Sequence, residues 1–210
     1  MIELKKKKLI SELYYVIALH GGKKQLAEVY AAIQDAFLKT EIEMHKVYSR
    51  SQINIYVKAS IKSCFDIFMK NFPAINVIKL KEPTSFLTHS RQLAPLKPGL
   101  EQFFIEQEIV FHDPHTSVIA NHCEKQLTRK EEIRAALLAL VDQVMLSSTT
   151  ARMADALGAD AIIELGLGNK SVKMLRDNDI LTPVFPFTGD SLEELRFQIQ
   201  VSAIVTALEW

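Results

Sequence analysis

The sequence predicts a chain in two parts, a ferredoxin-like α+β part followed by an α/β part rich in helices. Three observations predict it. Over residues 14–89, alternating apolar stretches and apolar residues spaced by three and four follow one another in the order β-α-β-β-α-β. From residue 90 onward helical patterns dominate, with only two or three short strands among them. An apolar content of 48% beside 24% charged residues describes a soluble globular chain, and 210 residues hold one large domain or two small ones.

Tyr14 to Leu19 is rich in β-formers and stops at His20-Gly21-Gly22, a turn signal. Leu26, Val29, Tyr30, Ile33 and Phe37 then line one face of a helix over residues 23–38. Glu43 to Tyr48 and Gln52 to Lys58 read as two strands joined by the polar turn Ser49-Arg50-Ser51. Ser60 is placed to cap a helix that runs to about Asn71 and turns Ile61, Cys64, Phe65 and Phe68 inward. Pro73 breaks the chain before a strand from Ile75 to Leu80.

In the second part, Pro95 and Pro98 open a helix from Leu96 to Gln107, and Ser117 to Asn121 is a short strand. Arg129 to Met145 reads as one long helix with Ile133, Leu137, Leu140, Val141 and Val144 inward. A helix from Ser148 to Leu157 stops at Gly158. Ala161 to Leu165 is an apolar strand that needs a neighbour along its edge, from a partner, a second copy or the terminal helix. Pro183 and Pro186 punctuate the tail before Ser191 and Glu194 form a capping box for that helix. The division expected is a tail or lead-in helix over 1–13, a ferredoxin-like subdomain over 14–89 and a larger partial subdomain over 90–210.

Composition excludes several classes. With 25 basic and 25 acidic residues there is no electrostatic case for nucleic acid or an anionic membrane, and the Lys5–Lys8 run reads as a solvated tail. Cys64 and Cys123 are too few for a disulfide framework, which fits a reducing cytoplasm. No stretch has signal-peptide or membrane-span character.

The chemistry sits in a series of short segments. Phe86-Leu87-Thr88-His89-Ser90, followed by Leu93, Pro95 and Leu96, lies where the two parts meet. Upstream is Tyr48-Ser49-Arg50-Ser51-Gln52-Ile53. Downstream come Phe111-His112-Asp113-Pro114 with Val118 to Asn121, then Gln143-Val144-Met145, then Glu164, Gly166, Gly168 and Leu175. In order and spacing these segments resemble the malonyl-CoA:acyl-carrier-protein transacylases and the acyltransferase domains of polyketide synthases. Tyr48 stands where the family has asparagine, Leu167 where it has proline, and Ser147-Ser148-Thr149 where it has a proline and a tryptophan.

The resemblance implies that residues 90–210 are the C-terminal part of an α/β-hydrolase-like acyltransferase subdomain. It implies His89 as general base, with the backbone carbonyl of Gln143 orienting its ring, and Thr88 and Asn121 at the substrate. Coenzyme A thioesters and a carrier phosphopantetheine would be substrates, with no bound cofactor. Such acyl transfer needs a nucleophilic serine and oxyanion donors. The Gly-x-Ser-x-Gly elbow that carries that serine is missing, so the expectation is a truncated, acyltransferase-like chain that is inactive alone. The expected partners are a complementing N-terminal half, a second copy, or an acyl-carrier or synthase protein. A non-catalytic docking module is the alternative, with Lys58, Lys62, Lys70, Lys79 and Lys81 meeting an acidic carrier. An enzyme of different chemistry using His89 would need a second catalytic group, which the sequence does not show.

Other readings are weaker. Ser90, Ser147 or Ser148 would be a substitute nucleophile only off an elbow. His112, His115, His122 and Cys123 have a spacing compatible with a metal, but their segment is accounted for by the resemblance. Gly166 to Ser171 has a phosphate-loop flavour without the full spacing.

Overall fold

The computed structural model describes residues 12–165 and 174–187. The chain divides into two compact units, Met1–Ser147 and Ser148–Trp210.

The first unit is built on a five-stranded mixed sheet in the order β4-β1-β3-β2-β7. Its strands are β1 Tyr14–His20, β2 Ile42–Ser49, β3 Gln52–Lys58, β4 Asn76–Thr84 and β7 Met145–Leu146. β4, β1, β3 and β2 are antiparallel neighbours, as a ferredoxin-like β-α-β-β-α-β chain requires, and β7 joins β2 in parallel. The helices α1 Lys23–Ala36 and α2 Lys62–Met69 cover one face. Alternation along β1 sends Ile17 and Leu19 under them, and β3 adds Ile53, Ile55 and Val57. Leu26, Val29 and Ile33 come down from α1, and Phe65 and Met69 from α2. The opposite face carries Tyr14, Val16 and Tyr56, packed against Leu87 and Leu93.

The rest of this unit is α3 Lys97–Glu106, the strand pair β5 Val118–Ile119 and β6 Gln126–Leu127, and α4 Lys130–Ala139. Asp113 gives the Phe-x-x-Pro segment a structural role: its Oδ1 accepts from Lys130 N at 2.7 Å, meeting an unpaired N–H at the start of α4. Glu132 Oε2 accepts from the N-cap backbone, Arg129 N, at 3.3 Å, as in a capping box, and from Thr128 N at 2.9 Å.

Several elements differ from the sequence reading. α4 ends at Ala139 rather than Met145, because the chain tightens there. Val141 N and Asp142 N bond three residues back, to the carbonyls of Leu138 and Ala139. The released segment then lays Met145 and Leu146 beside Lys46 and Val47 of β2. Within α4, Ala136 is the buried residue and Leu137 is exposed. α2 begins at Lys62 after a 3₁₀ turn over Ala59–Ile61, and Cys64 points to solvent.

In the second unit, α5 Ser147–Ala156 ends before Gly158, whose φ of +69° is the left-handed conformation that terminates helices. β8 Ile162–Leu165 takes a parallel neighbour that the sequence reading did not foresee, β9 Val184–Phe187. The prolines at 183 and 186 disguised it, since proline is tolerated only at strand edges. Ala151, Leu175 and Ile180 form the local core. The Gly166–Ser171 loop, the terminal helix begun at Ser191 and the Lys5–Lys8 run lie outside the described residues. Among the described residues no helix is long and apolar enough to cross a membrane.

Candidate functional site

The site forms where the chain leaves β4 and passes across the helix-free face of the sheet. Two strand side chains hold that passage. Tyr56 of β3 accepts from Thr88 N at 2.9 Å and donates from the same hydroxyl to Thr88 O at 3.0 Å. Glu43 of β2 accepts from Ser90 Oγ at 2.6 Å and from Arg91 N at 2.7 Å. Glu43 and Tyr56 are cross-strand partners in the β2–β3 register, so they point to the same face side by side. The residue between the two clamps is His89.

His89 has φ 54°, in the left-handed region, which is sparsely populated by residues with side chains and tolerated best by Asn, Asp and His. Holding it there costs on the order of 1–3 kcal/mol, which the neighbouring hydrogen bonds must offset. Its Nδ1 lies 2.7 Å from Leu140 O. A carbonyl only accepts, so Nδ1 carries the proton and, in the neutral ring, Nε2 keeps its lone pair. Among the described residues no side chain is bonded to Nε2. The ring is thus fixed in rotation and tautomer with one basic nitrogen open.

The expected orienting carbonyl was that of Gln143, and the one on His89 is Leu140's. The early end of α4 explains it. In a helix running to Met145, Leu140 O would accept from Val144 N. With the helix ending at Ala139, that carbonyl is among the unpaired ones at the C-terminus and is free to take the imidazole. Gln143, Asn121 and Thr88 are exposed. Asn121 approaches β7 through its backbone carbonyl, which accepts from Leu146 N.

Ser90 is not a nucleophile in this arrangement. It is fully buried, donates to Glu43 and accepts from Gln92 N at 3.2 Å. Ser147 and Ser148 are buried at the start of α5. Among the described residues no hydroxyl is bonded to His89, and no group of three or more His, Cys, Asp or Glu could hold a metal ion.

Two more histidines share the electrostatics of the site, and sequence reasoning singled out only His122. His45, on β2, stacks on the Tyr56 ring with centroids 4.1 Å apart. It is 7% exposed, and among the described residues neither ring nitrogen has a partner. Burial lowers its pKa to about 4, with the charges of His89, Lys46 and Lys81 pushing the same way. The His122 pKa is lowered by burial, then by His89 and Lys97. Tyr56→Phe is expected to lower stability by about 1–2 kcal/mol, since it removes the hydroxyl that serves both backbone groups of Thr88. A urea titration with an unchanged slope and a lower midpoint would report it.

The lysines considered for docking are largely engaged. Lys62 and Lys79 lie 5.5 and 5.9 Å from the Tyr15 ring centroid, and they pair with Asp66 at 2.5 Å and Glu82 at 2.7 Å. Lys58 pairs with Glu12.

No family model matches the sequence, and no curated protein matches it. Solved structures do. A malonyl-CoA–acyl-carrier-protein transacylase from Clostridium perfringens superimposes with a TM-score of 0.74 at 18% identity, over 96% of this chain and 61% of that one. An acyl-carrier-protein S-malonyltransferase from Vibrio cholerae gives 0.73 at 17% identity, over 86% and 57%. A malonyl-transacylase solved in complex with a type II polyketide-synthase acyl-carrier protein gives 0.71 at 15% identity, over 92% and 60%. The chain therefore spans about three fifths of the length of these enzymes, and over that span it has the malonyl-transacylase fold.

Proposed function

We propose that this chain forms the histidine side of an acyl-carrier-protein acyltransferase site and does not catalyse transfer by itself. The observation that carries the reading is His89, held in a strained backbone conformation with Nδ1 bonded to a carbonyl and Nε2 open, on a malonyl-transacylase fold. In the proposed reaction Nε2 takes the proton of a serine hydroxyl as its oxygen attacks a coenzyme A thioester. The proton then goes to the departing thiolate. A carrier phosphopantetheine thiol reverses these steps and leaves with the acyl group. Malonyl or a related acyl group is the proposed cargo, with no bound cofactor. Thr88 and Asn121 are proposed to border it. The serine and oxyanion donors would come from a complementing segment that carries a Gly-x-Ser-x-Gly turn.

Intact-mass measurement with malonyl-CoA tests this. The chain alone is expected to gain no acyl mass. Co-expressed with a segment carrying that turn, it is expected to support acylation of the segment's serine, and His89→Ala is expected to abolish that. An acyl adduct on this chain alone would overturn the reading.

The acyl-carrier protein is the proposed partner, in keeping with the neighbour solved with one. In the alternative reading the chain only docks a carrier, through lysines of which Lys62 and Lys79 gather about Tyr15 and would have to exchange Asp66 and Glu82 for the carrier's carboxylates. Carrier binding that weakens with salt, together with no acylation in the complemented system, would select it.

A further inference from the structure

We infer that Glu43 is a positioning residue for His89, acting through Ser90 and Arg91. The two oxygens of its carboxylate meet two donors that flank one backbone unit, Ser90 O–H at 2.6 Å and Arg91 N–H at 2.7 Å. The first bond is buried, so removing the carboxylate strands the Ser90 hydroxyl in a place water does not reach. On the near side of His89, Tyr56 fixes Thr88 in the same two-sided way. Between two fixed neighbours the backbone of His89 has no room to relax from its positive φ, and the ring is delivered to Leu140 O. Without Glu43 the C-terminal clamp opens. His89 then reverts to an ordinary backbone conformation and its ring leaves the carbonyl.

The functional meaning of this role rests on His89 being the base of an acyl-transfer site, but its geometry does not. The test therefore reads the ring directly. The full chain is labelled with ¹⁵N-histidine, the His89 signals are assigned by their loss in His89→Gln, and the tautomer is read from the ring nitrogen shifts above pH 7. In the wild type nearly all of His89 is expected as the Nδ1–H form. In Glu43→Ala that population is expected to fall below half. Glu43→Gln keeps one acceptor for Arg91 N–H but offers Ser90 an NH₂ where its O–H needs an acceptor, so its Nδ1–H population is expected to fall by less than in Glu43→Ala. Ser90→Ala, which leaves the Arg91 bond intact, is expected to lie between and serves if Glu43→Ala does not fold.

A wild-type tautomer in both Glu43→Ala and Ser90→Ala would overturn the role. If instead the tautomer responds as expected while the complemented system transfers no acyl group, the acyl-transfer reading fails and the role of Glu43 stands.

Discussion

Lowering the pH from 7 to 4 is expected to remove about 3 kcal/mol of stability through His45, and His45→Phe is expected to abolish that loss. The folded protein holds the His45 pKa at about 4, against 6.5 for the free side chain. Above pH 6.5 the ring is neutral in both states and contributes no pH dependence. Between 6.5 and 4 the unfolded chain binds a proton that the folded chain refuses, so stability falls as pH falls. Below 4 both states are protonated and the loss is complete. Phenylalanine keeps the stack on Tyr56 and removes two buried nitrogens that have no partners among the described residues, so it is also expected to stabilise the fold at pH 7. His122, shifted in the same direction, is present in both proteins and cancels in the comparison. Urea titrations at pH 7 and pH 4 decide the matter: an equal acid loss in wild type and variant would show that His45 is not its source.

Phe65→Ala is expected to lower stability by about 3–5 kcal/mol, the range for truncating a buried aromatic ring. Phe65 is fully buried at the centre of the helix–sheet core and meets Phe37 at 6.4 Å. The buried cluster it belongs to draws on two helices and three strands, so no single element can move in to fill the space. At a urea slope of about 2 kcal/mol/M, the midpoint should drop by about 2 M. Ile67→Ala, two residues along the same helix but 65% exposed, is expected to stay within about 0.5 kcal/mol of wild type. Alanine raises helix propensity at both positions, so a comparable drop in both variants would mean that burial in this core is not what sets the loss.

These residues differ in how far the sequence revealed them. Phe65 was legible because its helix must hide one face, and a three-and-four spacing shows which. β1 was legible as a run of β-formers closed by a Gly-Gly turn, and β3 from its apolar residues at 53, 55 and 57. Cys64 and Leu137 face solvent where the spacing predicts them inward, because a three-and-four spacing fixes a helix face only to within about one residue. β7 escaped because two residues carry no period, and their strand character comes from lying beside Lys46 and Val47. In the site, the His89 segment was visible as a motif, but none of its supports was. Glu43 lies 47 residues from Ser90 in sequence, and Tyr56 lies 32 from Thr88. The acceptor on the ring is a backbone carbonyl, which no side chain announces. The signal that could have pointed to Glu43 and His45 is their position on the sheet face away from the helices, where a strand facing only solvent would need neither.

The Glu43–Tyr56 pairing also bears on how this chain can vary in length. Hairpin turns commonly accept an added residue at little expense to the fold. Here, one residue added to the turn after Ser49 would slide β2 past β3 by a position and rotate its side chains to the opposite face. Glu43 would then face the apolar layer beneath the helices, far from Ser90, even though every strand could still pair. The short hairpin at Arg50 and Ser51 thus works as a length gauge for the distant histidine.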